Sequence, residues 1–311
     1  MRGDDVLFVM RAARRTCTLL LSLGLLLAAP SARSGEDSQP IFRAISSEVR
    51  LTFYATDHNR NVSQLQRDDF AVVDDEWVVR DFRSFGHCNT ENLELVILVD
   101  GSESVSPQYG REVAGLLRLL SQSRVTSADR VSVIAFSGLK PSLICGTTCQ
   151  NSSTVPELLA TRANGATPLF DAVVYASQFI ATRPDPEVRP VLIIFSDGED
   201  TVSIHTDRSA IQAALARELQ IFSVDLNSSP STGSAVLRDM AEVTGGRYFL
   251  FSDSANAVLS SIVDDLHNAY LVTYRLPSRR AGFHSVSVLP THNLNFQFRS
   301  RRGYYYPRAL E

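Results

Sequence analysis

Lysine is nearly missing from this chain. Of 30 basic residues only Lys140 is a lysine, and the rest are arginine. No arginine-rich stripe stands out, and the formal net charge is -4. A nucleic-acid partner needs a basic face to answer its phosphates, so that class is set aside. Cysteine is scarce too, with 4 in 311 residues. No apolar run reaches the ~20 residues of a membrane-spanning helix. A Gly-x4-Gly-Lys phosphate loop is absent, and Ser137 lacks the Gly-x-Ser-x-Gly surroundings of a hydrolase nucleophile. His205 and His267 lie near acidic residues but have no nucleophile or second histidine at useful spacing. These absences exclude the common catalytic layouts, and no catalytic residue is expected.

What is present begins with a distinct N-terminus. RAARR (Arg11 to Arg15) precedes the apolar run TLLLSLGLLLAA (Thr18 to Ala29) and a small-residue exit, PSARSGED. A positive segment, a short apolar segment and small residues in that order read as a secretory signal peptide over residues 1–34, cut after Ser34. An uncleaved N-terminal anchor is the competing reading. Cys17 precedes the apolar run, which is the wrong side for lipid attachment. Removing residues 1–34 takes away five arginines and two aspartates, so the charge falls from -4 to about -7; that does not favour anionic membrane surfaces. The cysteines left are Cys88, Cys145 and Cys149, an odd count that argues against a disulfide framework. Cys145 and Cys149 flank Gly-Thr-Thr in what reads as a loop; a local disulfide is preferred, with two free thiols as the alternative.

Apolar content of 44% against 21% charged predicts a packed core. Residues 35–90 read as a linker and a β-rich module, with VRLTFYA and DDFAVVDDEWVVRDFRSF as strand candidates. Residues 91–268 alternate strand and helix. LELVILVD (Leu93 to Asp100) is apolar almost throughout, as a strand covered on both faces would be. Helix Arg111 to Gln122, strand Arg130 to Phe136, helix Leu169 to Ala181, strand Pro190 to Asp197, helix Ser209 to Glu218 and strand Gln220 to Leu226 follow. Helix Ala235 to Gly245, the short strand RYFLF and helix Ala255 to Asn268 close the series. The predicted fold class is α/β: a Rossmann-like, open, mostly parallel sheet with helices on both faces. Residues 269–311 return to β character, with AYLVTYRL, FHSVSVLP and NLNFQFRSRRGYYYP as strands. This C-terminal segment is expected to pack with the N-terminal module.

Three separated segments carry oxygen ligands. They are DGSES (Asp100 to Ser104), GATPLFDA with Thr167, and SDGED with Asp197. In an open parallel sheet all three fall at the carboxyl edge, where ligands bind. Alternate residues Asp100, Ser102 and Ser104 can turn toward one point, with Gly101 allowing a tight bend. Oxygen donors without sulfur or imidazole suit Mg²⁺, with Mn²⁺ or Ca²⁺ as alternatives. Each segment alone has a plainer reading: a solvated turn for the two acidic loops, and a helix cap for Thr167 before Pro168. Glu103, Glu199 and Asp200 are candidates for the rim of a recognition surface, or solvated charges. Alternate rings of Tyr304, Tyr305 and Tyr306 are expected to pack on the β-rich module, an interaction patch being the alternative.

The three ordered segments resemble the von Willebrand factor A family, whose metal-ion-dependent adhesion site uses Asp-x-Ser-x-Ser, a distant Thr and a distant Asp. Asp100, Ser102, Ser104, Thr167 and Asp197 match that pattern one by one, and the likeness spans roughly Leu93 to Asn268. It implies a metal held by the serines and threonine, with the aspartates acting directly or through water, and a protein ligand that presents a carboxylate. A finer likeness is to the related domain of secreted acidobacterial proteins, carried by DDFAVVDDEW (Asp68 to Trp77) and RRGYYYP (Arg301 to Pro307). Glu76 stands where that pattern has a turn glycine, and Arg60 departs from it in the DHNRN turn. The resemblance implies a non-enzymatic, metal-dependent binding module that is secreted or periplasmic, in a bacterial envelope. The rival is a structural or assembly protein of the envelope whose metal only stabilises the fold.

Overall fold

The computed structural model describes residues 48–88, 92–110, 113–115, 130–147, 149, 163–183, 185, 188–251 and 255–306. The signal segment expected over residues 1–34, most of the helix expected over Arg111 to Gln122, and Pro307 lie outside the described residues; Tyr109, Gly110 and residues 113–115 are helical. Among the described residues, no helix is long and apolar enough to cross a membrane.

A six-stranded sheet forms the centre. Strands β6 (Asn92–Asp100), β7 (Arg130–Ser137), β8 (Lys140–Cys145), β9 (Val188–Ser196), β10 (Gln220–Asp225) and β11 (Tyr248–Leu250) lie in the order β11-β10-β9-β6-β7-β8. Five are mutually parallel; β8 folds back antiparallel on β7 at the edge. The architecture is therefore α/β with a mixed sheet, and sequence reading did not foresee β8. None of its residues is fully buried and it carries Pro141, a composition that an edge strand tolerates and that hides it from an apolar-run search. Cys145 ends this strand instead of opening a loop, and it is joined to Cys149 by a disulfide.

Helices α1 (Leu169–Ala181), α2 (Asp207–Leu215), α3 (Thr232–Thr244) and α4 (Ala255–His267) cover the sheet. Period-2 alternation along β6 divides its apolar residues between two cores. Leu95, Ile97 and Val99 pack with Leu259, Ile262 and Leu266 of α4, while Val96 and Leu98 face Val173 of α1 and Met240 of α3. Burial on both faces is why this strand reads as an unbroken apolar run. In α1 the residues Leu169, Ala172, Val173, Ala176 and Ile180 repeat every three or four positions and are all buried. α3 ends at Gly245 with φ 81, the left-handed conformation of a glycine cap.

The flanking segments build a second core. Strands β1 (Glu48–Asp57), β2 (Arg60–Asn61), β3 (Phe70–Asp74), β4 (Trp77–Val79) and β5 (Phe82–His87) precede the central sheet in the chain. Strands β12 (Tyr270–Arg275), β13 (Gly282–Pro290), β14 (Phe296–Ser300) and β15 (Gly303–Tyr306) follow it. One sheet runs β14-β1-β12-β5, with β2 beside β1, and the other β15-β13-β3-β4. Phe53, Leu51, Phe70, Val72, Val272, Tyr274 and Val286 fill the space between them. β5, which leads into the central sheet, is hydrogen-bonded to β12, which leads out of it, with His87 opposite Tyr270.

NLNFQFRSRRGYYYP, read as a single strand candidate, is two strands in different sheets. β14 pairs with β1 and β15 with β13, and the break falls at Arg301, whose side chain is buried. Close approach also fixes Gly303, where a Cβ would lie 2.2 Å from the His284 carbonyl oxygen. In the β3–β4 turn the left-handed residue is Asp75 (φ 52), so Glu76 needs no glycine-like conformation. The exposed Trp77 follows it.

Candidate metal centre

Asp100 is the last residue of β6 and Ser196 the last of β9, so two neighbouring parallel strands end side by side. Asp100 is fully buried. Its Oδ1 accepts the Ser102 amide at 2.9 Å, which turns the chain straight after the strand. Its Oδ2 accepts the Ser196 hydroxyl at 2.6 Å, and Ser196 Oγ in turn accepts the Gly198 amide at 3.0 Å. Ser196 thus binds the two acidic loops together. Sequence reasoning missed it, although the strand pairing Val99 with Phe195 places it opposite Asp100.

Ser102 is buried and its hydroxyl lies 3.0 Å from that of the exposed Ser104. The loop before α1 is laced to this turn: the Glu103 amide donates to Gly165 O and the Asn164 amide to Gly101 O, each at 2.9 Å. Gly165 has φ 88 and its Cβ position lies 3.1 Å from Gly138 N. Gly101, singled out from sequence as the bend, has ordinary room for a side chain at 3.5 Å. The Asx-type hydrogen bond of Asp100, not a glycine, makes that turn.

Thr167 is buried two residues before the first turn of α1. Its backbone exchanges hydrogen bonds with Thr201, whose amide donates to Thr167 O and whose Oγ1 accepts the Thr167 amide, both at 2.9 Å. The plain reading of Thr167 was a helix cap. The first amides of α1 are instead capped from another loop: Phe170 N donates to Asp200 Oδ1 at 3.2 Å and Asp171 N to Ser203 Oγ at 3.0 Å. Asp200 is therefore a cap for the α1 terminus, a role its loop position in the sequence did not suggest. Asp171 accepts the Ile204 and His205 amides and the His205 ring, an arrangement with no counterpart in the sequence reading.

Asp197 is buried and its Oδ1 accepts the Glu199 amide at 3.1 Å, while Glu199 itself is exposed. Its loop is held against α3 by a backbone crossing. Gly198 has φ 81, and a Cβ there would lie 2.1 Å from Gly233 O. Asn227 Nδ2 donates to Asp197 O at 2.7 Å from the far side.

Burial, the largest influence, pushes the Asp100 carboxyl up to about 6. Hydrogen bonds from Ser102 and Ser196 oppose the rise, and the nearby charge of Asp197 adds to it. Two buried carboxylates edged by hydroxyls are an oxygen-only donor set that fits a hard divalent cation.

A second acid cluster, not found from sequence, lies in the sandwich. Ligand-type atoms of Asp74, Asp75 and His284 fall within 4.8 Å of one another. These atoms are used internally. Asp74 accepts Tyr274 OH at 2.8 Å and Tyr304 OH at 2.9 Å. Asp75 lies 2.8 Å from His284 Nδ1 and accepts the Ser285 amide at 2.9 Å. Of the tyrosine run, Tyr304 stacks on His284, and Tyr305 packs against Phe283 at 5.2 Å.

Residues 95–199 match the family described as von Willebrand factor type A domain, a class that mediates protein interactions. Among curated proteins none matches the chain. Among solved structures the chain is similar to proximal thread matrix protein 1 of the mussel byssus (TM-score 0.47, 13% identity, 57% of this chain and 48% of that one). A second structure of that protein carries a zinc-occupied MIDAS motif (TM-score 0.45, 13% identity, 57% and 48%). The chain thus spans about half the length of the mussel protein. It is also similar to the conserved hypothetical protein BatB of Bacteroides thetaiotaomicron (TM-score 0.45, 18% identity, 56% and 97%).

Proposed function

We propose that the chain is an exported, divalent-metal-dependent protein-binding module, and that Asp100, Ser102, Ser104, Thr167 and Asp197 hold its ion. Mg²⁺ is the first choice, with Mn²⁺ or Ca²⁺ next. One observation carries the reading: Thr167 is left out of the α1 cap, which Asp200 and Ser203 supply, while its loop is laced to the Asp100 turn. A buried threonine that is spared the usual capping task, in a loop tied to the Asp100 turn, supports a ligand's role. When bound, the ion supplies positive charge and an open position for a partner's carboxylate. The chain's own part is to hold the donors rigid through Ser196, the Gly198–Gly233 crossing and the hydrogen bonds between loops.

The same proposal includes export through residues 1–34 to a secreted or periplasmic setting. It also includes the finer likeness to the domain of secreted acidobacterial proteins. N-terminal sequencing of exported material that began elsewhere than Gly35 would remove the cleavage from it.

The test is calorimetric titration of the purified mature chain with Mg²⁺ and Mn²⁺, beside Asp100→Ala. Saturable one-site binding that disappears in the folded variant is expected; equal affinity in both would sink the assignment. The rival reading, a structural or assembly protein whose metal only stabilises the fold, draws on the same raised Asp100. It requires partner capture to survive Asp197→Ala, whereas a partner carboxylate on the ion requires capture to be lost.

A further inference from the structure

A cavity of about 340 Å³ opens at the opposite end of the six-stranded sheet from the Asp100 loop. Its walls are the amino ends of β6, β9 and β10, the carboxyl ends of α1 and α2, and residues of the sandwich. Five arginines line it, Arg50, Arg183, Arg189, Arg217 and Arg301, against three carboxylates, Glu94, Asp185 and Glu218. In a chain of net charge -4 this is a local reversal of sign.

The carboxylates are largely engaged. Glu94 pairs with Arg183 at 2.6 Å and Asp185 with Arg130 at 2.7 Å. Glu218 is half exposed and lies 3.5 Å from Arg301, a long contact. Arg301 itself is 7% exposed. It donates from Nη2 to the Arg50 carbonyl at 2.7 Å, while its Nε has no hydrogen-bond partner. A buried guanidinium donor without an acceptor is unfavourable, so the site gains by admitting an acceptor.

Helix ends give a plainer reason for some of this charge. The carboxyl termini of α1 and α2 favour nearby cations, which accounts for Arg183 and Arg217. It does not account for Arg301, which enters from the β14–β15 connection. The rest of the wall is mixed, with apolar Ile180, Val188 and Pro190 and polar Thr52, Gln220 and Thr244 beside the arginines. Concave sites of this size hold small ligands, and arginine forks match oxyanions in shape and charge.

We propose that this cavity binds a small oxyanion, a carboxylate or phosphate group on a compact body, with Arg301 as its principal charge partner. The site is separate from the metal edge and independent of the reading given to it.

The mature chain, in metal-free buffer, is titrated with inorganic phosphate and with benzoate, with sodium chloride at matched ionic strength as control. Saturable one-site binding and a rise in Tm are expected with at least one oxyanion. Preference for phosphate assigns a tetrahedral group, and preference for benzoate a carboxylate on an apolar body. Arg301→Lys, which keeps the charge and removes Nε, should weaken binding at least tenfold. Arg217→Glu reverses a charge on an exposed residue at the mouth, so it leaves the fold intact and should weaken binding several-fold. Should the first variant not fold, the second decides. No binding above the chloride control, or unchanged affinity in the folded variants, overturns the proposal.

Discussion

Two buried acidic sites sit in one chain and are handled in opposite ways. In the sandwich, Asp74 receives hydrogens from two phenols, and Asp75 is answered by His284 and the Ser285 amide. Burial raises Asp74 against the two phenols, as it raises Asp100, whereas at Asp75 the Ser285 amide and His284 more than offset burial and hold the carboxyl low. At the sheet edge, burial dominates Asp100, and a second carboxylate, Asp197, adds to the rise. The sandwich cluster is a closed account of donors and acceptors that holds two sheets together. The edge cluster is set up so that added positive charge outside the protein is welcome. Composition does not separate the two; the partners of each oxygen do.

The largest test of this contrast is Asp100→Asn without metal. A carboxyl raised from 3.8 to about 6 in the folded state gives stability that is full below pH 3.8 and is lost as pH rises through 6. The metal-free protein should therefore lose on the order of 3 kcal/mol between pH 4 and pH 7 from this group. Asp100→Asn should flatten that limb and melt higher than the parent at pH 7. Thermal melts at several pH values decide it, and a variant that melts lower at pH 7 would break the contrast.

Asp74→Ala comes next. It leaves the hydroxyls of Tyr274 and Tyr304 buried without their acceptor, at a cost of about 1–3 kcal/mol in urea unfolding, and Mg²⁺ affinity should not change. Smaller again is Asp75→Asn, about 1 kcal/mol. A carboxyl held low in the folded state stabilises above its unfolded pKa and loses that contribution as pH falls through the folded value. The variant's deficit should therefore be present at pH 7 and vanish in acid, the reverse of the Asp100 limb. The smallest change in stability is for Ser104→Ala, within about 0.5 kcal/mol because the residue is exposed. Its Mg²⁺ affinity should fall clearly, and a loss of stability without a loss of affinity would put Ser104 outside the site.

Sequence alone located α1 to the residue and most central strands to within two, because apolar periodicity is strong where both faces are covered. β8 escaped, since an exposed edge strand has no such period. The β14–β15 break escaped because the aromatic and arginine pattern continues through a switch of sheets. At the candidate metal edge the acidic and hydroxyl residues were legible as three loop motifs. Ser196 was not, because its role comes from the register between β6 and β9, which is a long-range property. The capping role of Asp200 was hidden for the same reason: the helix it caps starts about 30 residues earlier in the chain. The Asp74–Asp75–His284 cluster joins residues separated by about 210 positions and has no local signature.

The pairing of β5 with β12 has a mechanical consequence. The chain leaves the sandwich by one of these strands and returns by the other, so the six-stranded sheet hangs from two adjacent attachment points. A pull applied between β1 and β15 runs through sandwich strands at both ends. The β5–β12 pairing closes a short bridge across the base of the sheet, and while that bridge holds, the load path along the backbone need not run through β6 to α4. The ligand loops at the far edge would then keep their spacing under tension, and the sandwich would be the element that yields first.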